Sequence, residues 1–483
     1  MSNLSDLLPA GAGGKQVDFV ATGTIGNGVT VGLKTDGTVE AVGELPQTVG
    51  TAVDWSSATL TNHVASVYDS SNNKIVVAYN LNIVGAVGTA IVGTVSGTTI
   101  SFGSPVVFNA GNTADIGIAY DSSNNKVVIA YRDKNNSSYG TAVVGTVSGT
   151  SISFGTAVIF LSALTQFTQA VYDSSNNKVV LAYYGTSAYG QSVVGTVSGT
   201  SISFGATATF QSASVTSLGS TYDSNLNKVV IVYDQGGNNA QAVVGTVSGT
   251  SISYGTPVAY QSGTAWSNSA TFDSTNNKVV IAYTNNSNSY YGTALVATVS
   301  GTTISFGTPV VFASVTSYSS ELGFDSNANK INIAYEQLNA TTGKLIVGTV
   351  SGTTISFGTV INTLANGGTT TKSSFSFDTS NNKMVITCLD KVNNSSSTFY
   401  GTSFVFQNVS SNSTSFIGIT DAAISSAASG SVTIKGGISS NVTGLTANST
   451  YYVQSDGTLA TTSSSVLAGK ALSSTSINLD YTT

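Results

Sequence analysis

Short apolar runs alternate with polar turns along most of the chain, and one phrase keeps returning between them. YDSSNNKVV stands at residues 120–128 and again, letter for letter, at 172–180. Around the first copy, IGIAY (116–120) alternates apolar and small residues, DSSNN reads as a turn, and KVVIAY (126–131) is rich in β-branched residues. A polar loop, RDKNNSSY, leads to GTAVVGTV (140–147), the tight turn SGTS and a last run, ISFGTAVIF (152–160). Each run has strand length and is bounded by Gly, Asn, Ser or Asp, so the pattern predicts four antiparallel strands. The repeats contain no stretch with helical spacing.

The Asp of the phrase falls at Asp69, Asp121, Asp173, Asp223, Asp273, Asp325 and Asp378, with successive differences of 52, 52, 50, 50, 52 and 53. A four-strand meander repeated at that period is the signature of a β-propeller, whereas a β-solenoid has shorter rungs. The expected fold class is all-β: a seven-bladed β-propeller of four-stranded blades with a small terminal β-domain. Fourth-strand segments follow six of the units (FGSPVVF, FGTAVIF, FGATATF, YGTPVAY, FGTPVVF and FGTVINT), but none follows the seventh. One stands ahead of the first unit instead, as VGTAVDW (49–55). Thr48–Trp55 is therefore expected to pair as the outer strand of the blade holding Asp378. That pairing closes the ring and removes its exposed edges.

This divides the chain into an N-terminal arm and β-hairpin at 1–45 for attachment, a propeller at 46–409 and a small C-terminal β-domain at 410–483. Both ends carry an Asp-Gly hairpin, VGLKTDGTVEAV (31–42) and YVQSDGTLATT (452–462). Asp-Gly between alternating strands is a strong two-residue hairpin signal. The N-terminal hairpin is expected to pack against the C-terminal domain.

Composition narrows the function. Only 8% of residues are charged, the net charge is −6, and Arg132 is the single arginine. No basic patch forms, so nucleic acid is not an expected partner. No apolar run reaches membrane-spanning length, and MSNLSDLLPAGAGG lacks the cationic and apolar regions of a secretion signal. The one cysteine, Cys388, lies in the apolar run MVITCL and reads as core filling. Each repeat turn offers one carboxylate, whereas a calcium loop needs several oxygen ligands, so no metal and no cofactor is expected. The turn Asp is read as satisfying local backbone donors, the aromatic before it as packing between blades, and the Lys ending the phrase as solvated or paired with the Asp.

What varies between copies carries more information than what repeats. In such a meander one face is built from the DSSNN and SGT turns. The other is built from loops that differ in every unit, among them RDKNNSSY, YGTSAY, DQGGNN and TNNSNSYY, and from connections such as LSALTQF and QSGTAWS. A rigid scaffold with variable loops on one face is the layout of a recognition surface. Its aromatics, Tyr139, Tyr184, Tyr189, Trp266, Tyr290, Tyr291 and Tyr318, are the candidate receptor-binding residues, since Tyr and Trp suit glycans and protein epitopes. Trp266 is the leading candidate, clustered with Tyr290 and Tyr291. The alternative is that Trp266 packs under its own loop. No catalytic residue is assigned. A sialidase-type site needs several arginines, and glycoside hydrolysis needs two close carboxylates. Six residues before each repeat Asp lie His63, Asp115, Phe167, Ser217, Ser267, Ser319 and Lys372. Of these, Lys372, His63 and Asp115 read as a polar trio lining a wet channel.

The segments LSDLLPAGAGGKQVDFVATGTIGNGVTVGLKTDGTVEAV (4–42) and FIGITDAAISSAASGSVTIKGGISSNVTGLTANSTYYVQSDGTLATTSSSVLAGKALSSTSINLDYTT (416–483) resemble the ends of tail-fibre and related virion-appendage proteins of marine tailed bacteriophages. The resemblance implies a non-enzymatic virion structural protein, assembled in the host cytoplasm and carried on the particle. Its ends would attach to other virion proteins or to sister copies in a homo-oligomer. Its propeller would present the variable face to a host-surface glycan or protein. A non-viral extracellular adhesin and a glycan-cleaving propeller are the alternatives.

Overall fold

A computed structural model describes residues 15–480 except 35, 57–59, 82–84, 339, 341, 364–369 and 392–398. The chain divides into two compact units, one of Met1–Gln47 with Asn408–Thr483 and the other of Thr48–Gln407. Both are built from strands. The helical elements among the described residues are single 3₁₀ turns such as Thr186–Ala188 and Ser413–Ser415.

In the larger unit each repeat phrase joins an inner strand to a second strand. Around Asp173, Gln166–Asp173 pairs with Lys178–Tyr184, which pairs with Tyr189–Ser198. The turn is made by its own side chains. One oxygen of Asp173 accepts the backbone N–H groups of Ser175 and Asn176, both at 3.0 Å, and the other accepts the Asn176 amide at 2.9 Å. Asn177 then takes the left-handed conformation (φ 53°) that Asn tolerates. Burial alone would raise the Asp173 carboxyl, but the bonds from Asn176 and Ser175 outweigh it and hold the group below its usual value. The tyrosine of the following repeat completes the turn. Tyr222 Oη accepts the Ser175 N–H at 3.3 Å, as Tyr172 does for Ser123 and Tyr120 for Ser71. The phrase lysines turn to the third strand: Lys228, Lys278 and Lys330 donate to Thr246, Thr298 and Thr349 at 2.9, 3.0 and 2.8 Å.

The fourth strand departs from the pattern read in the sequence. ISFGTAVIF folds as two pieces, Ser151–Phe154 and Val158–Leu164, both paired with Tyr139–Ser148. The break lies at Gly155, where a Cβ would stand 1.9 Å from the Thr200 carbonyl oxygen in the S-G-T turn of the next repeat. The outer strand kinks so that backbone meets backbone across the boundary. Gly103, Gly205, Gly255 and Gly307 make the same approach to Thr150, Thr250, Thr302 and Thr353. So does Gly50, whose Cβ would lie 1.9 Å from Thr98 O. Its strand pieces Thr48–Val49 and Val53–Asp54 pair with Phe399–Gln407, the third strand of the repeat holding Asp378. A second departure is that Val106–Asp121 and Val310–Asp325 run unbroken from one repeat's outer edge into the next repeat's inner strand.

The core lies between successive repeats. Val127, Ile129 and Tyr131 pack against Val76 and Ala78 of the preceding repeat. Val128 and Ala130 pack against Val179, Leu181 and Tyr183 of the following one. Strand two is thus buried on both faces, which is why KVVIAY is continuously apolar rather than alternating. One such cluster joins Trp55, Ile75, Val77 and Tyr79 to Val385, Leu389 and Val405, bringing the last repeat against the first. Cys388 stands where the other six repeats place a buried tyrosine, and burial pushes its thiol up.

Strand two of the sixth repeat breaks the rule. Asn332 occupies the position of Val76, Val128, Val180, Val230, Val280 and Val385, and it is 0% exposed. Neither its amide nitrogen nor its carbonyl oxygen has a hydrogen-bond partner. It lies on the strand face of Ala334, which packs with Met384, Ile386, Phe404 and Phe406. Asn332→Val should stabilise the protein by about 1–3 kcal/mol, the penalty of burying an unsatisfied polar group. An upward shift of the urea midpoint checks this, and an unchanged or lower midpoint counts against it.

In the smaller unit the two ends of the chain share one sheet. Its order is Gln16–Val20, Ser429–Ile434, Phe416–Thr420, Thr30–Leu33 and Val39–Ala41. A second sheet holds Ile438–Ser439, Ile477–Leu479, Leu467–Ala471, Thr450–Val453 and Leu459–Ala460. The Asp-Gly hairpins are held alike: Asp36 accepts Thr38 N at 3.0 Å and Asp456 accepts Thr458 N at 2.9 Å. Glu44–Leu45 pairs with Ser410–Ser411 where the chain leaves and re-enters this unit.

Candidate functional site

The inner strands of the larger unit do not run straight. Each is bulged near its start, for example between Ala114 and Gly117, Gln166 and Gln169, and Trp266 and Ser269. Asp115, Phe167, Ser217 and Ser267 take left-handed φ of 49°, 52°, 51° and 50° within these bulges. A bulge re-aims the side chains around it. Here the bulged residues, with His63, surround a cavity of about 580 Å³. The cavity lies at the ends of the inner strands nearest the variable loops, since Trp266 pairs with Thr284, the first residue of the loop TNNSNSYY.

Its lining mixes hydroxyls, amides and apolar groups with few charges. Arg132 reaches Asp115 at 2.9 Å, and both side chains are largely buried, so the only arginine of the chain is committed to this pair. Glu321 accepts the Ser269 hydroxyl at 2.7 Å. Asn268 is locked: its amide donates to Ser217 O at 3.0 Å and Ala265 O at 3.1 Å, and its oxygen accepts Tyr260 Oη at 2.7 Å. Of the expected trio, His63 and Asp115 line the cavity together. The Lys372 side chain lies outside the described residues, as do parts of the loops between 80–87, 336–343, 362–373 and 390–400.

Trp266 forms both the cavity rim and the centre of an aromatic strip. Its ring lies 5.4 Å from Tyr290 and 6.4 Å from Tyr318, at interplanar angles of 35° and 27°. Trp266 is 41% exposed and Tyr290 38%, so neither is packed beneath its loop. Tyr290 holds its place through a left-handed backbone (φ 61°), an unfavourable conformation for a bulky residue, while its carbonyl accepts Ser317 N at 3.0 Å. Tyr291 instead begins the third strand opposite Thr316 and is half-buried. Tyr139 and Tyr189 begin third strands of their own repeats and are half-buried. Tyr184 ends a second strand with its ring edge-on to Phe167 at 6.3 Å. The candidate aromatics therefore do not form one patch; Trp266, Tyr290 and Tyr318 come together.

Asp390 is shifted the opposite way from the turn aspartates Asp173 and Asp378. Burial, with the charge of Asp54, pushes Asp390 up to about 6. Asp54 accepts Thr402 Oγ1 at 2.6 Å. Among the described residues no group of three or more His, Cys, Asp or Glu stands ready to hold a metal.

No protein-family model and no curated protein matches the sequence. The structure is similar to that of the BP39L lectin from Burkholderia pseudomallei, with 9% identity and a TM-score of 0.52, over 71% of this chain and 98% of that one. A point mutant of the NanB sialidase from Streptococcus pneumoniae aligns with 11% identity and a TM-score of 0.42, over 75% of this chain and 70% of that one. At such identities the likeness to the lectin speaks to the fold alone: an all-β protein of β-propeller class.

Proposed function

We propose that the larger unit is a seven-bladed β-propeller closed by its N-terminal strand, and that it binds a host-surface glycan as part of a bacteriophage tail fibre or related virion appendage. Seven repeats of like pairing, and the packing of Thr370–Asp378 against Leu60–Asp69, support a closed ring. The observation that carries the binding reading is the aromatic strip of exposed Tyr290 and Trp266 with half-buried Tyr318 at the rim of a polar cavity. Aromatic faces stack on the apolar faces of sugar rings, while hydroxyls, amides and carboxylates take the sugar hydroxyls. The lectin named above supports this direction, and the resemblance of both termini to virion-appendage proteins supports the particle. The small unit is proposed as the terminal β-domain that attaches to neighbouring virion proteins.

The experiment pairs binding with stability. The variant carrying Trp266→Ala and Tyr290→Ala should keep its melting temperature nearly unchanged. It should lose about a hundredfold in affinity on an array of bacterial surface glycans, as expected when two anchors worth about 1.4 kcal/mol each are removed. A folded double variant that binds like the wild type would move the site elsewhere. Antibody against the chain should decorate the tail or an appendage of released particles, whereas label confined to cells points to the adhesin. The glycan-cleaving alternative rests on Asp390 titrating near 6 beside Asp54, a range suited to a general acid. New reducing ends appearing in the binding assay would favour it.

A further inference from the structure

Building on the glycan reading, we infer that the site takes the end of a sugar chain, with the terminal residue lodged in the cavity and the following residues laid outward over the aromatic strip. The first ground is continuity. Trp266 belongs to the cavity wall and to the strip, so one ligand can occupy both without crossing a gap. The second is enclosure. Residues 63–66, 115–118, 167–170, 216–218, 266–268, 321 and 373–374 wall the cavity, drawing on all seven repeats. Its volume of about 580 Å³ falls within the range of small-ligand pockets.

The third ground is asymmetry. Among the described residues the exposed rim aromatics, Trp266 and Tyr290, stand together on the fifth repeat with half-buried Tyr318 beside them on the sixth, while Tyr139, Tyr184 and Tyr189 on the second and third are half-buried at strand ends with no exposed aromatic next to them. An internal segment of a polymer would enter and leave across the rim and would need a landing surface on both sides. A chain end needs one. The fourth ground is chemistry. The lining includes Ser217 and Ser267 alongside Ile116 and Leu218, a mixture of polar and apolar groups that suits the C–H faces and hydroxyl edges of a sugar. Glu321 lies three residues inward from Tyr318 on the same strand, across the bulge, and holds Ser269 at 2.7 Å. Its carboxylate is the acceptor that a terminal sugar's hydroxyls would meet.

The test titrates the full-length chain with neutral hexoses, 6-deoxyhexoses and N-acetylhexosamines. Each is supplied as the monosaccharide and as a linear tetrasaccharide, with cyclic glucans as ligands that have no end. Binding is read by tryptophan fluorescence and calorimetry. At least one monosaccharide should bind, its tetrasaccharide should bind more tightly, and cyclic glucans should not bind. Glu321→Gln should weaken monosaccharide and tetrasaccharide alike by about tenfold, the loss of one charge-assisted hydrogen bond. Tyr290→Ala should instead bring the ratio of the two affinities toward one. Should Glu321→Gln fail to fold, Glu321→Asp, which withdraws the carboxylate by one methylene, takes its place and should show the same parallel loss. If tetrasaccharides bind while monosaccharides do not, and Glu321→Gln has no effect, the strip binds internal segments: end recognition falls and glycan binding stands. If no sugar binds the wild-type chain, both fall together.

Discussion

Replacing Trp55 with alanine should destabilise the larger unit by about 3–5 kcal/mol, the range for deleting a large buried aromatic. Trp55 is 8% exposed, and its ring lies 4.6 Å from Tyr79 and 6.2 Å from Phe102. Its indole N–H donates to Ser403 at 3.0 Å, so the substitution also leaves a buried hydroxyl short of a donor. The ring covers Gly401, where an added Cβ would meet it at 2.2 Å. Phe108, Phe160, Phe210, Tyr260 and Phe312 pack at a tilt against the tyrosines of their following repeats in the same way. Trp55 differs in what its strand does. It supplies the outer edge of the repeat at the other end of the sequence, and its loosening uncovers Phe399–Gln407 as a free sheet edge, an aggregation hazard. Guanidinium unfolding should show the lowered midpoint, and size exclusion should show association at micromolar concentration. An alanine variant with an unshifted midpoint would remove the basis for closure by the N-terminal strand.

A matched pair of glycine substitutions gives the second large effect. Gly155→Ala should destabilise by about 3 kcal/mol, the upper part of the range for overpacking. Its Cβ would stand 1.9 Å from a backbone oxygen, and a backbone cannot swing aside as a side chain can. Gly358→Ala, at the same place in the sixth repeat, should be nearly neutral, because nothing there lies closer than 3.8 Å. The difference has a topological cause. Gly155 faces the S-G-T turn of the repeat that follows, whereas the seventh repeat has no such turn, since its outer strand comes from the N-terminus. Equal effects of the two substitutions in calorimetry would contradict this account of the boundary.

Part of the candidate site can be read from residue order. Trp266 stands seven residues before its repeat Asp, where five of the other six repeats carry Asn, Ala, Gln or Thr and only the sixth carries another aromatic, Tyr318, and polar loops flank it. Residue order does not separate Tyr290 from Tyr291, which are adjacent tyrosines in one loop. The difference comes from Tyr290 taking a left-handed backbone while Tyr291 enters a strand. Tyr318 holds the same place in the next repeat, seven residues before its Asp, but that its ring meets Trp266 depends on the two inner strands lying side by side. Asn268, which braces the rim through Ser217, has no signature beyond lying within the bulge between Trp266 and Ser269.

The sequence by itself determined the parts whose physics is local. The period of the Asp phrase, the turn that Asp, Ser and Asn build from their own side chains, the apolar strand two, the Asp-Gly hairpins and the displaced copy VGTAVDW all rest on interactions a few residues apart or on simple repetition. The tertiary structure decided what depends on the neighbouring repeat or on the other end of the chain. It split the fourth strand at Gly155, because backbone from the next repeat must pass within contact distance there. It bulged the inner strands and so turned their side chains into the cavity. It wove Gln16–Val20 and Thr30–Leu33 into one sheet with Phe416–Thr420 and Ser429–Ile434, since neither end has enough strands to bury its apolar face alone.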